Sequence, residues 1–267
     1  MSIAKSRADY SQNMRRIPRL VPAVIVLVGL VATGCSSDSK PTTTGSVTVF
    51  AASSLTEAFT EMGTAFEKIN PGAKVTFSFG GSGDLVTQIG QGAPADVFAS
   101  ADESNMTKLV DAGNASGTPT VVAKNSMEII TEAGNPKGIA TLADLAKPDL
   151  IVVLCATTAP CGKLAASVLK TAGVTVSPKS LEDKVKGVVT KVTSGEADAG
   201  IVFVTDVKAA GSKATGVAIP AEQNAVTNYP LVVTKQATNA TGASAFIAYV
   251  ASSAGQAILA NHGFLAP

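Results

Sequence analysis

The chain has 267 residues, with 21 Lys+Arg against 20 Asp+Glu, one His, three Cys, no Trp and 46% apolar residues. That length can bury a sizeable core, as one large domain or two smaller lobes. Aromatics at 4% argue against a nucleic-acid stacking surface, and the lone His262 excludes a His-rich metal site.

The first segment distorts the net charge. Residues 1–34 hold all four arginines (Arg7, Arg15, Arg16, Arg19), together with Lys5 and a single acid, Asp9. Without them the chain keeps 16 Lys against 19 acids, a net charge of −3, and no arginine. This mildly acidic body argues against DNA or RNA as a partner. Residues 1–34 read as a secretory signal, with Arg15, Arg16 and Arg19 before an apolar run at 21–31 too short to span a bilayer. The run ends Val31-Ala32-Thr33-Gly34-Cys35, which resembles the lipobox of bacterial lipoproteins, although Ala32 stands where Leu is usual. Cys35 is then the lipidated first residue; the alternative is an ordinary signal peptide with Cys35 a spare thiol. Residues 35–45 are polar, with Pro and Gly, and read as a tether that buries too little to fold.

From residue 46 the chain alternates short β-branched runs with amphipathic helical stretches. Strands are expected at 47–50, 74–79, 96–99, 120–123, 127–131, 150–154, 200–204, 217–219 and 229–234. Helices are expected at 55–69, 84–91, 103–112, 142–146, 162–172, 181–193, 205–210, 243–252 and 255–261, and loops at 113–119 and 134–138. Such alternation predicts an α/β fold with largely parallel sheets covered on both faces. In an oxidising compartment, Cys155 and Cys161 read best as a disulfide closing a short loop, with free thiols or half of a zinc site as alternatives. Zinc would need further ligands, and only the distant His262 exists to supply one.

Several helices start directly after a strand. Ser54 and Glu57 have capping-box spacing, Gly80-Gly81-Ser82-Gly83 brings a second serine to a helix start, and Pro160 stands at a third. Such turns lie at the carboxyl ends of strands, where open α/β sheets bind ligands. A helix N-terminus offers unpaired N–H groups and a partial positive charge, and so holds an anion without a basic side chain. Two such ends facing one cleft would suit a compact dianion with no proton to offer. Plain capping is the competing account of Ser54 and Ser82.

Two longer segments decide between these accounts. Residues 47–56 (VTVFAASSLT) and 92–102 (GAPADVFASAD) resemble signature segments of the periplasmic molybdate-binding proteins. Residues 200–206 (GIVFVTD), Tyr229-Pro230 and Gly263-Phe264 follow in the expected order, so the resemblance spans about residues 46–265. It implies a type II periplasmic-binding-protein fold: lobe 1 from 46–121 and 225–267, lobe 2 from 122–224, and the ligand between them. It implies ligand contacts from Ser54 and Ser82, from the Cys161 N–H in a P-x-G turn, and from the Val185 N–H in a segment carrying one inserted residue. The family's fifth contact, a tyrosine hydroxyl, falls on Phe203, so that donor is missing. Either Ser53, Thr205 or a water replaces it, or the cage is one bond poorer at a cost of about 1.5–3 kcal/mol.

The resemblance further implies a monomeric, non-enzymatic protein, lipid-anchored at Cys35 to the outer face of the cytoplasmic membrane. It would capture molybdate and tungstate as oxyanions, with no cofactor and no metal cation, for the permease of an ABC transporter. Sulfate or another tetrahedral oxyanion is the alternative ligand. An exported serine hydrolase using Ser54 or Ser82 is the alternative of another class, although no G-x-S-x-G elbow is present.

Overall fold

The computed structural model describes residues 43–267, so the signal segment, most of the tether and Cys35 lie outside the described residues. The chain opens with β1 (Thr44–Ala52), three residues earlier than expected. A short 3-10 turn over Ser53–Leu55 leads into α1 (Thr56–Ile69), then β2 (Gly72–Gly80), α2 (Ser82–Gly90), β3 (Val97–Ala99) and α3 (Glu103–Asp111). Next come β4 (Ala115–Glu132), a 3-10 turn over Leu142–Ala146, β5 (Val152–Cys155), α4 (Pro160–Thr171), β6 (Ser180–Glu182) and α5 (Val185–Thr193). The chain ends with β7 (Ala199–Phe203), α6 (Val204–Ala210), β8 (Ala214–Ala218), β9 (Val226–Thr234), α7 (Ala240–Ala251) and α8 (Ser253–Asn261).

The fold is α/β as expected, but its sheet is mixed. The strands run in the order β2-β1-β3-β9-β4-β7-β5-β6, with β8 paired to β4. Pairs β1–β2, β1–β3, β5–β6 and β5–β7 are parallel. Every pair that involves β9 or β4 is antiparallel. Strand β4 joins two sheets by changing partner: it pairs with β9 as far as Ser126 and with β7 from Met127.

Two local expectations are corrected. Residues 115–119 belong to β4 and are not loop, because β9 supplies backbone partners that the local Gly and Pro do not reveal. Register shifts between Ser116 and Thr120 and between Val121 and Ala123 absorb the irregularity. Residues 181–193 are not one helix. Ser180–Glu182 pair with β5, and Lys184 is extended, with φ −149° and ψ 155°. Helix α5 therefore starts only at Val185.

Packing follows the periodicity. Helix α1 buries Ala58, Phe59, Met62, Gly63 and Phe66, the spacing of one apolar stripe. Phe59 and Phe66 meet Phe246 of α7 edge-on, with ring centroids 5.9 and 5.5 Å apart. Each fully buried phenylalanine contributes roughly 1.5–3 kcal/mol relative to exposure, which fixes the helix and the turn before it.

Candidate functional site

A cavity of about 210 Å³, counted with its opening to solvent, lies where the turns after β1 and β2 meet the starts of α4 and α5. The space is small and enclosed by turns from several elements, which suits a ligand of few atoms. Ser53, Ser54, Ser82, Cys161, Val185 and Phe203 all line it. Six positions singled out in the sequence thus converge on one space. Ser82, Cys161 and Val185 stand in the first turns of α2, α4 and α5, where N–H groups lack an intrahelical acceptor.

The capping reading of both serines is corrected here. Helix α1 has Leu55 at its N-cap with no side-chain cap bond, because Ser54 is taken into the preceding 3-10 turn. The Ser54 hydroxyl lies 2.9 Å from the Tyr229 hydroxyl, and Glu57 turns to Lys186, 2.9 Å away. Ser82 follows the N-cap Gly81, and its hydroxyl accepts the Ala101 N–H at 3.1 Å. Both serines are almost fully buried, so neither hydroxyl is spent on bulk water.

Cys155 and Cys161 form a disulfide with a Cα–Cα distance of 5.7 Å, which removes the free-thiol and zinc alternatives. It ties the end of β5 to the first turn of α4. The turn is tight: a Cβ on Gly162 would stand 2.0 Å from the Ala156 carbonyl oxygen.

Two ion-pair groups join elements on opposite sides of the cavity. Lys163 of α4 reaches Asp102, the N-cap of α3, at 2.9 Å. Burial alone would raise the Asp102 pKa, but Lys163 and the Asn105 N–H hold the carboxyl below its ordinary value. Lys186 of α5 pairs with Glu57 of α1 and with Asp206 of α6, at 2.9 and 3.1 Å. Burial pushes Asp206 up to about 6 in spite of that lysine. Burial also disfavours the Lys186 ammonium, yet the two carboxylates hold its pKa above the usual lysine value.

Of the groups behind Ser54, sequence reasoning named Thr205 as a replacement donor and Tyr229 only as a motif residue, and it missed Asn125. Tyr229, Asn125 and Thr205 are buried, and Asn125 Nδ2 donates to Thr205 Oγ1 at 2.8 Å. Thr205 is thus turned toward Asn125, while Tyr229, edge-on to Phe203, brings its hydroxyl to the serine. Asn125 stands between Lys124 and Ser126, between two expected strands, so nothing local marked it.

Residues 47–265 match the family of bacterial extracellular solute-binding proteins. The chain belongs to that family. This solute-binding protein is 43% identical over 253 residues to the molybdate-binding protein ModA of Mycobacterium tuberculosis (strain H37Rv), covering 93% of this chain and 97% of that protein. Its fold matches the Azotobacter vinelandii periplasmic molybdate-binding protein, with TM-score 0.72 and 23% identity over 83% of this chain and 99% of the other. It also matches the sulfate-binding protein SubI of Mycobacterium tuberculosis, with TM-score 0.75 and 22% identity over 82% and 86%. The solute-binding protein therefore has the type II periplasmic-binding-protein fold. It is an extracytoplasmic binding component, and its serines belong to a binding family, not to a hydrolase.

Proposed function

We propose that this protein captures molybdate, with tungstate as a close mimic, and delivers it to the permease of an ABC transporter. The observation that carries the reading is the convergence of Ser54, Ser82, Cys161 and Val185 on one small, arginine-free cavity. The identity to a molybdate-binding relative over nearly the whole chain supports it. Ser54 and Ser82 would give hydroxyl and backbone N–H donors, and Cys161 and Val185 would give N–H groups. A tetrahedral dianion accepts from all of them and needs no acceptor in return.

The reading places lobe 1 at 46–121 and 225–267 and lobe 2 at 122–224. The partner change in β4 between Ser126 and Met127 supports a division close to that boundary. An anion held by donors of both lobes favours their closed arrangement, which is the form a permease would distinguish. The reading includes a monomer anchored through a lipidated Cys35, which rests on the lipobox-like residues 31–35.

Isothermal titration of the mature chain with molybdate, tungstate, sulfate and phosphate tests the assignment. Saturable heat is expected with molybdate and tungstate. Heat with sulfate or phosphate alone, and none with molybdate, would overturn it.

A further inference from the structure

Tyr229 is fully buried on β9, is not among the residues lining the cavity, and its hydroxyl reaches the lining through Ser54. The direction of its hydrogen bonds can be worked out from the backbone. Asn125 Oδ1 accepts the Ser126 N–H at 3.0 Å, which fixes the amide orientation and leaves Nδ2 as the end facing inward. Nδ2 then donates to Thr205 Oγ1 at 2.8 Å and to the Tyr229 hydroxyl at 3.4 Å. A phenol has one proton. With Asn125 donating to its oxygen, the Tyr229 hydroxyl donates its one hydrogen bond to Ser54 Oγ, 2.9 Å away. Burial holds the phenol pKa above its ordinary value, so the proton is kept. Ser54 accepts from Tyr229, and its own proton is free to point into the cavity.

We propose that Tyr229 is a positioning residue which, oriented by Asn125, fixes Ser54 as an obligatory donor to the bound oxyanion. This role rests on the oxyanion reading above. It also explains how the site works with phenylalanine at 203: a tyrosine hydroxyl is still used, one bond behind the ligand. In low dielectric such a chain strengthens the terminal donor, and a serine free to rotate would lose part of that gain.

The test is a double-mutant cycle on the mature chain, titrated with molybdate, tungstate and sulfate. Its variants are Tyr229→Phe, Ser54→Ala and the pair, with thermal melting as the folding control. Tyr229→Phe is expected to weaken binding about tenfold in the presence of Ser54, and less than about twofold in the Ser54→Ala background. Asn125→Ala, a second route to the same relay, is expected to show the same dependence on Ser54. An equal loss in both backgrounds would mean a merely structural tyrosine and would overturn the proposal. The cycle is read with whichever of the three anions the unaltered chain binds tightest. Binding of sulfate alone would remove the molybdate reading and leave the relay standing or falling on its own cycle. Binding of none would remove both.

Discussion

Asp206 and Lys186 show at the residue scale how the cavity wall is stabilised. Burial raises Asp206 from an ordinary 3.8 to about 6, so between those values the folded chain binds more protons than the unfolded one. Its contribution to stability therefore falls as pH rises through about 4–6 and is constant above. Chemical denaturation should show this slope as the difference between the natural chain and Asp206→Asn. Lys186→Met should push Asp206 higher still. It is expected to cost about 3–5 kcal/mol at pH 8, where the carboxylate is left unpaired, and much less at pH 5. Equal losses at the two pH values would show that the pair does not hold the charge. Neither residue was legible as a partner of the other, because Lys186 and Asp206 meet only through the packing of α5 and α6. Ser54 and Ser82 stood out because helix-start chemistry is local, but only the family resemblance gave them a ligand role over plain capping. Tyr229 could not, because its role depends on a contact across 175 positions.

At the scale of elements, most helices followed from apolar spacing, and the failures share one cause. Strand β4 was interrupted in the reading because Gly117 and Pro119 are local turn signals, whereas its pairing with β9 is a long-range fact. Helix α5 was read too long because the β6 pairing that ends at Glu182 is equally non-local. The disulfide was legible from compartment and spacing, and the structure adds where it acts. It clamps the loop ahead of α4, so the Cys161 N–H is placed by the bridge as well as by Gly162. Loop-closure entropy for so short a loop gives about 2 kcal/mol of stability, or roughly 4–8 °C of melting temperature at most. Reduction should therefore lower the melting temperature modestly but weaken molybdate binding about tenfold, as read by titration with and without reductant. Gly162→Ala should reproduce the affinity loss with the bridge intact. Unchanged affinity after reduction would separate the clamp from the site.

At the scale of the molecule, the two sides of the cavity meet at backbone distance. A Cβ on Gly81, in the turn before α2, would stand 2.6 Å from the Asp183 carbonyl oxygen in the turn before α5. The Gly81 backbone, at φ −67° and ψ 134°, is open to any residue, so Gly81→Ala carries no conformational penalty of its own. Apart from the Asp84 carboxylate, 3.1 Å from the added Cβ at the end of a side chain that can turn aside, its effect falls on the approach of the two turns. If ligand capture proceeds by closure, the variant should melt within about 2 °C of the natural chain without ligand, yet bind molybdate at least tenfold more weakly. Lys163→Ala makes the complementary change, removing an attraction to Asp102 without adding a clash. Lys163 is about a third exposed, and the nearly buried Asp102 keeps its bonds from Ser104 and Asn105, so the loss should weaken binding only up to about fivefold, and less at high salt. Small-angle scattering distinguishes the two cases. With saturating molybdate the Lys163→Ala chain should still contract, whereas the Gly81→Ala chain should keep its ligand-free radius of gyration. A Gly81→Ala chain that contracts fully and binds with natural affinity would show that close approach of these turns is not part of capture.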